Sequence, residues 1–171
     1  MFYKRENKCC SIEPNFFSKI VAVHGPVSPP EKGVLGYGSL IGDTIEQPSI
    51  IGTNVPFNEV GPLSKNISAS ASGNELVVNE SGVYQITVSM SAEATAVPDP
   101  TQRFLTVFIL VNGVPIFDDT LIAFNISNRS SSTFVVQASL TAGDRVGVSA
   151  NSDTVPFGYI SRSLTIVQLS N

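Results

Sequence analysis

The stretch Gly82-Val83-Tyr84-Gln85-Ile86-Thr87-Val88-Ser89-Met90-Ser91-Ala92 decides the fold class. Tyr84, Ile86, Val88, Met90 and Ala92 fall on one side of it, and Gln85, Thr87, Ser89 and Ser91 on the other. A period of two describes an extended strand with one buried and one open face. Downstream, Thr133–Leu140 alternates in the same way, with Phe134, Val136, Ala138 and Leu140 on one face. Between them, Arg103–Val111 is almost continuously apolar, as in a strand covered on both sides. Val111-Asn112-Gly113-Val114 is a hairpin signal, because a tight primed turn needs positive φ and Asn-Gly tolerates it. Ile116–Phe124 is expected to return from that hairpin. Ala142-Gly143-Asp144 turns into a strand at Arg145–Ala150. The last strand, Tyr159–Leu169, places Ile160, Leu164, Ile166 and Val167 in a less regular alternation. Upstream, Val34–Ile41, Ile50-Ile51 and Leu76-Val77-Val78 are expected as shorter strands. Thr95–Gln102 and Asn125–Ser132 are expected as loops, the first for Pro98 and Pro100, the second for its Ser and Asn content. No stretch has a sustained helical period. About eight to ten strands, with turn signals every ten or so residues, make an all-β sandwich or barrel, with a jelly roll among the standard solutions.

The chain changes character at about Gly33. Residues 1–32 hold both cysteines, the single histidine, four prolines and the pair Phe16-Phe17. Residues 33–171 hold the strand pattern and neither cysteine nor histidine. The expected organisation is therefore an N-terminal connector or anchoring tail, 1–32, and one β domain, 33–171. Within the tail, Glu13-Pro14-Asn15 and Gly25-Pro26-Val27-Ser28-Pro29-Pro30 disfavour helix. Phe16–Val23 between them reads as a single strand. A lone strand is not stable in water, so this one needs a sheet edge or groove elsewhere. Phe16, Phe17, Ile20 and Val21 are its docking residues.

Charged residues make up 14% of the chain, against about 25% in typical domains. So little charge at 42% hydrophobic content favours an oligomer that hides part of each subunit. The tail carries five basic and three acidic residues, and the body five basic and eleven acidic. An acidic body repels phosphate backbones, so nucleic acid is not an expected partner. Ile20-Val21-Ala22-Val23 is too short to span a bilayer, and the charged start lacks the long apolar run of a signal peptide. The chain is expected to be made in the cytosol and to meet no membrane.

Chemistry is scarce. His24 sits beside a glycine in the tail, with no nucleophile near it in sequence. No Gly-x-Ser-x-Gly elbow, zincin motif or phosphate loop occurs. Two vicinal cysteines and a distant histidine make a poor zinc set. Asp118-Asp119 reads better as a solvated acidic hairpin than as a calcium site. Glu75, Glu80, Glu93, Asp99 and Asp144 mostly flank turns and form no evident acid–base pair. The expectation is a non-enzyme without metal or cofactor. Cys9-Cys10 are either idle thiols or, at an exposed terminus, the source of inter-subunit disulfides.

Several body motifs resemble the tumour necrosis factor and complement globular-head superfamily. They are Gly82-Val83-Tyr84 opening an alternating strand, Gly143-Asp144-Arg145-Val146, and Phe157-Gly158-Tyr159 near the end. A nearer likeness is the C-terminal domain of collagen-like glycoproteins of the Bacillus exosporium. It is carried by Val55-Pro56-Phe57-Asn58-Glu59-Val60-Gly61, Gly82-Val83-Tyr84-Gln85-Ile86-Thr87-Val88 and Asn112-Gly113-Val114-Pro115. The resemblance implies a ten-strand jelly roll that forms a tight parallel homotrimer, with Tyr84, Phe157 and Tyr159 as aromatics of its core. It also implies an assembly, adhesion or recognition module. Glu13-Pro14-Asn15, Gly25-Pro26 and Pro29-Pro30 are similar in order to the sorting segment of those proteins, but no Gly-x-y repeat separates tail from head. The expected function is a structural subunit of a spore-surface layer or appendage fibre, at the exosporium or on an appendage. Its tail docks on a neighbouring trimer or on a different anchor protein. The alternative is a trimeric receptor- or glycan-binding head, on a spore adhesin or a phage fibre tip.

Overall fold

The computed structural model describes residues 35–94, 104–116, 124–127, 130–152 and 157–171, the side chains at 93, 94 and 157 excepted. Every regular element among them is a strand. In chain order these are β1 (Tyr37–Gly42), β2 (Thr53–Asn54), β3 (Glu59–Leu63), β4 (Ile67–Ala69), β5 (Leu76–Val78), β6 (Gly82–Ala94), β7 (Phe104–Val111), β8 (Val114–Pro115), β9 (Phe124–Ser127), β10 (Ser130–Leu140), β11 (Arg145–Ser152) and β12 (Phe157–Ser170). Ten have three residues or more, and β2 and β8 are two-residue pieces. They form two antiparallel sheets. One has the order β10-β6-β12-β1-β3; the other has β4-β5-β11-β7-β8, with β2 on β11 and β9 on β7.

The alternating segments produce the sandwich directly. Tyr84, Ile86, Val88, Met90 and Ala92 are buried on the inner face of β6. Val88 pairs with Leu164 and Ile86 with Ile166 across β12. Facing them from the second sheet are Leu105, Val107, Ile109, Val146, Val148 and Ala150, in one continuous apolar core. Fully burying an aliphatic side chain of this size stabilises the fold by about 1.5–3 kcal/mol. The Asn112-Gly113 hairpin forms as expected. Asn112 has φ 54° and Gly113 φ 81°, and Val111 pairs with Val114.

Two local expectations are corrected. Asn125–Ser132 is not a loop: it is the end of β9 and the start of β10, with only 128–129 between the strands. Its hydroxyls find partners across the sheet, Ser131 with Ser91 at 2.7 Å and, one step on, Thr133 with Ser89 at 2.6 Å. Conversely, Ile50-Ile51 is a bend and not a strand. The Ser49 hydroxyl donates to the Ile51 carbonyl and accepts from its amide, curling the chain locally. Most of the return segment 116–124 lies outside the described residues; Ile116 donates its amide to the Ile109 carbonyl at 3.0 Å.

The sandwich has two distinct ends. At the base, the chain enters β1 and leaves β12. The Gly36 amide donates to Gln168 Oε1 at 3.0 Å, and Gln168 Nε2 donates to Asn171 Oδ1 at 2.6 Å. At the opposite end, residues 43–52 cross from the first sheet to the second. There Glu46 bridges Tyr159, and the Ser152 amide donates to the Ser49 carbonyl at 3.3 Å.

Candidate subunit interface

The register of the first sheet assembles a surface that no single segment shows. Alternation puts one residue in two of β10, β6, β12 and β1 on the outer face. Val135, Thr87, Thr165 and Ser39 line up in one cross-strand row. The next row towards the base is Gln137, Gln85, Val167 and Tyr37, and the next towards the other end is Thr133, Ser89, Ser163 and Ile41. Ser131, Ser91 and Ile160 follow. None of these side chains is charged at neutral pH. Glu59, opposite Ile41 on the rim strand β3, borders these rows. Val135 is 56% exposed and Tyr37 43%, while Ile41 and Val167 are also open to solvent.

The described charges lie elsewhere. Arg145 forks onto Glu75 beside the second sheet. Asp144 closes the turn after β10, accepting the Thr141 amide at 2.8 Å and the Asn112 side-chain amide at 2.8 Å. With strands about 4.8 Å apart and a rise of about 3.3 Å per residue, the uncharged rows cover on the order of 500 Å². A stable contact buries about 800 Å² per partner. The outer edge of β10 adds to this area. It is an 11-residue strand without charge or proline, and no described strand pairs with that edge. Long, flat, uncharged edges are templates for further association.

Arg162 anchors the crossing segment from inside. It is 1% exposed, and is the largest fully buried side chain among the described residues. A break in the β6–β12 register between Ile160 and Ser163, with Ser161 at φ 49°, turns it inward. Its Nε donates to the Pro56 carbonyl at 2.5 Å, one terminal nitrogen to the Thr44 carbonyl at 2.6 Å, and the other to Thr44 Oγ1 at 3.1 Å. That last nitrogen also lies 3.5 Å from Glu46 Oε1. The guanidinium carbon sits 5.4 Å from the Tyr159 ring centre. Burial pushes the Tyr159 phenol up to about 12; Arg162 works against that shift and Glu46 with it.

The expected site residues distribute as follows. Tyr84 and Tyr159 are both closed off inside a single subunit. Tyr84 donates its hydroxyl to the Glu80 carbonyl at 2.7 Å, and burial followed by the Glu80 charge raises its pKa. The Phe157 side chain, Cys9, Cys10, Phe16, Phe17, Ile20, Val21 and the Thr95–Gln102 loop lie outside the described residues. Sequence reasoning missed Arg162 and Gln168, since single polar residues in an apolar strand read as outward-facing. Among the described residues no three His, Cys, Asp or Glu side chains gather as a metal site.

No protein-family model matches the chain, and no curated protein does. Solved structures do match. The globular domain of zebrafish complement 1qA protein superimposes with a TM-score of 0.52 at 12% identity, over 81% of this chain and all of that one. The crystal structure of pika GITRL gives a TM-score of 0.46 at 11% identity, over 80% of this chain and 98% of that one. At such identity the first likeness speaks for the fold alone: the β domain is a jelly roll of the complement globular-head type.

Proposed function

We propose that the chain is a non-enzymatic structural subunit of a bacterial spore-surface layer or appendage. It trimerises through its jelly roll and joins a neighbouring trimer, or an anchor protein, through residues 1–32. Cys9 and Cys10 then form disulfides between subunits. The observation that carries the assembly is the uncharged outer face of the first sheet. A cyclic trimer is a heterologous ring, so each subunit must offer two different surfaces that meet once per contact. The uncharged face and the free edge of β10 are two such surfaces on one sheet. The exosporium-like motifs between Val55 and Pro115 support the spore location.

Two charges placed on the face test the assembly. Thr87→Glu with Val135→Glu puts neighbouring like charges on outer-face positions outside the core, Val135 exposed and Thr87 half-buried. The parent sediments as three chains of 18.2 kDa or a multiple of that unit, and the variant as a folded monomer. A variant that keeps the parent's trimer overturns the interface. Mass spectrometry of extracts from washed spores, run with and without reductant, tests the location and the disulfides.

A further inference from the structure

The crossing segment at the end opposite the chain's entry carries Ile45, Ile50 and Ile51 within seven residues. They are 57%, 66% and 81% exposed. Ile51 is the most exposed large apolar residue described. These are not side chains of a loose strand. The segment is pinned at Thr44 and Pro56 by Arg162, at Glu46 by paired backbone bonds to Tyr159, and at Ser49 by the Ser152 amide. A fixed backbone thus holds three isoleucines out into water.

We infer that this isoleucine platform is the docking site for residues Phe16–Val23 of another copy of the chain. The inference rests on the proposed trimeric assembly. Two features favour a second copy. The first is polarity: the chain enters the body at the base, where Gly36 is bonded to Gln168, and the platform lies at the other end. A plug at one end and a socket at the other make a head-to-tail contact that never closes, the geometry of a fibre. The second is reach. From Val23 to Leu35 is twelve residue steps, about 37 Å in the extended form that Pro26, Pro29 and Pro30 favour. A copy stacked beneath the base presents its platform well within reach. Phe16, Phe17, Ile20 and Val21 supply the matching apolar surface, and a trimer would present three plugs to three sockets at once.

The test uses full-length protein with two sets of substitutions, Ile50→Asp with Ile51→Asp in the socket and Phe16→Asp with Phe17→Asp in the plug. Sedimentation velocity and electron microscopy read the products. The parent is expected to polymerise. Each variant is expected to stop at single trimers, with the concentration needed for polymer raised at least about a hundredfold. Mixing the two variants should yield pairs of trimers and nothing longer, since one intact plug meets one intact socket. Socket-variant fibres as long as the parent's, or a parent that stays as single trimers, overturn the docking site and leave the trimer standing. A monomeric parent overturns the trimeric assembly beneath it.

Discussion

Replacing Arg162 should undo one end of the sandwich while leaving its core intact. The guanidinium serves the Pro56 carbonyl, the Thr44 carbonyl and Thr44 Oγ1, at 2.5, 2.6 and 3.1 Å. Hydrogen bonds from a charged donor contribute about 1.5–3 kcal/mol each. The Glu46 pair, partly open to water, adds little. Arg162→Met preserves the volume of the stem and removes the fork, for an expected loss of about 3–5 kcal/mol. That is a large share of a typical 5–15 kcal/mol. Arg162→Lys keeps the charge, but one ammonium cannot serve acceptors on both sides, so it should recover less than half of the loss. Gly42 supplies an independent probe. A Cβ there would stand 2.5 Å from both the Arg162 Cζ and Nε, so Gly42→Ala must displace the guanidinium. The two substitutions should therefore be non-additive by at least about 1 kcal/mol, with Gly42→Ala milder in the Arg162→Met background. Urea unfolding followed by tyrosine emission, at one fixed protein concentration because assembly contributes, gives the free energies. Amide exchange at Glu46 and Tyr159, which bond each other's backbone at 2.9 Å, reports the local opening. An Arg162→Met protein within about 0.5 kcal/mol of the parent, with both amides still protected, would refute the reasoning.

Gln168→Leu leaves the Gly36 amide without its 3.0 Å acceptor in a buried place, for an expected loss of about 1–3 kcal/mol; faster exchange at Gly36 is the local check. Alkali should weaken the fold through Tyr159. Its unfolded pKa is near 10.0 and its folded pKa about 12, so between those values the unfolded chain holds fewer protons. The stabilisation is complete below about pH 10 and falls as pH rises towards about 12. Urea midpoints measured across that window should decline, and Tyr159→Phe should flatten the decline.

The strands that could be read from sequence are those with one wet face. In β6 and β10 a period of two survives because one side packs on the core and the other does not. In β12 the period is broken at Ser161, where φ 49° re-aims the next residue inward; nothing in the sequence singles out Arg162, which is the most buried cation described. Serine-rich Asn125–Ser132 looked like a loop because serine and asparagine compete with ladders in short segments. Across a sheet the same hydroxyls pair with one another, as Ser131 does with Ser91, and the strand persists. Ile50-Ile51 has strand propensity, but Ser49 closes a local turn on it and Gly52 follows. Low overall charge was visible from composition. Which surface lacked charge was not, because the rows are drawn from β1, β6, β10 and β12, and only pairing register brings them side by side.

Arg162 and the isoleucine platform belong to one design problem. An exposed apolar loop that must be ordered on binding loses about 1–2 kcal/mol per residue fixed, which over residues 43–52 would exceed what three isoleucines return at about 1.5–3 kcal/mol each. Ordering the loop beforehand removes that loss from the binding step. A surface ion pair would do this poorly, being screened and mobile. A guanidinium buried beneath the loop does it well, because its planar fork fixes Thr44 and Pro56 at once and its charge is met by a carboxylate and an aromatic face. The same reasoning explains why the residue is cationic at a position where an aliphatic side chain would pack with less desolvation. Stability alone does not require it there, whereas a rigid platform at the end of the sandwich does.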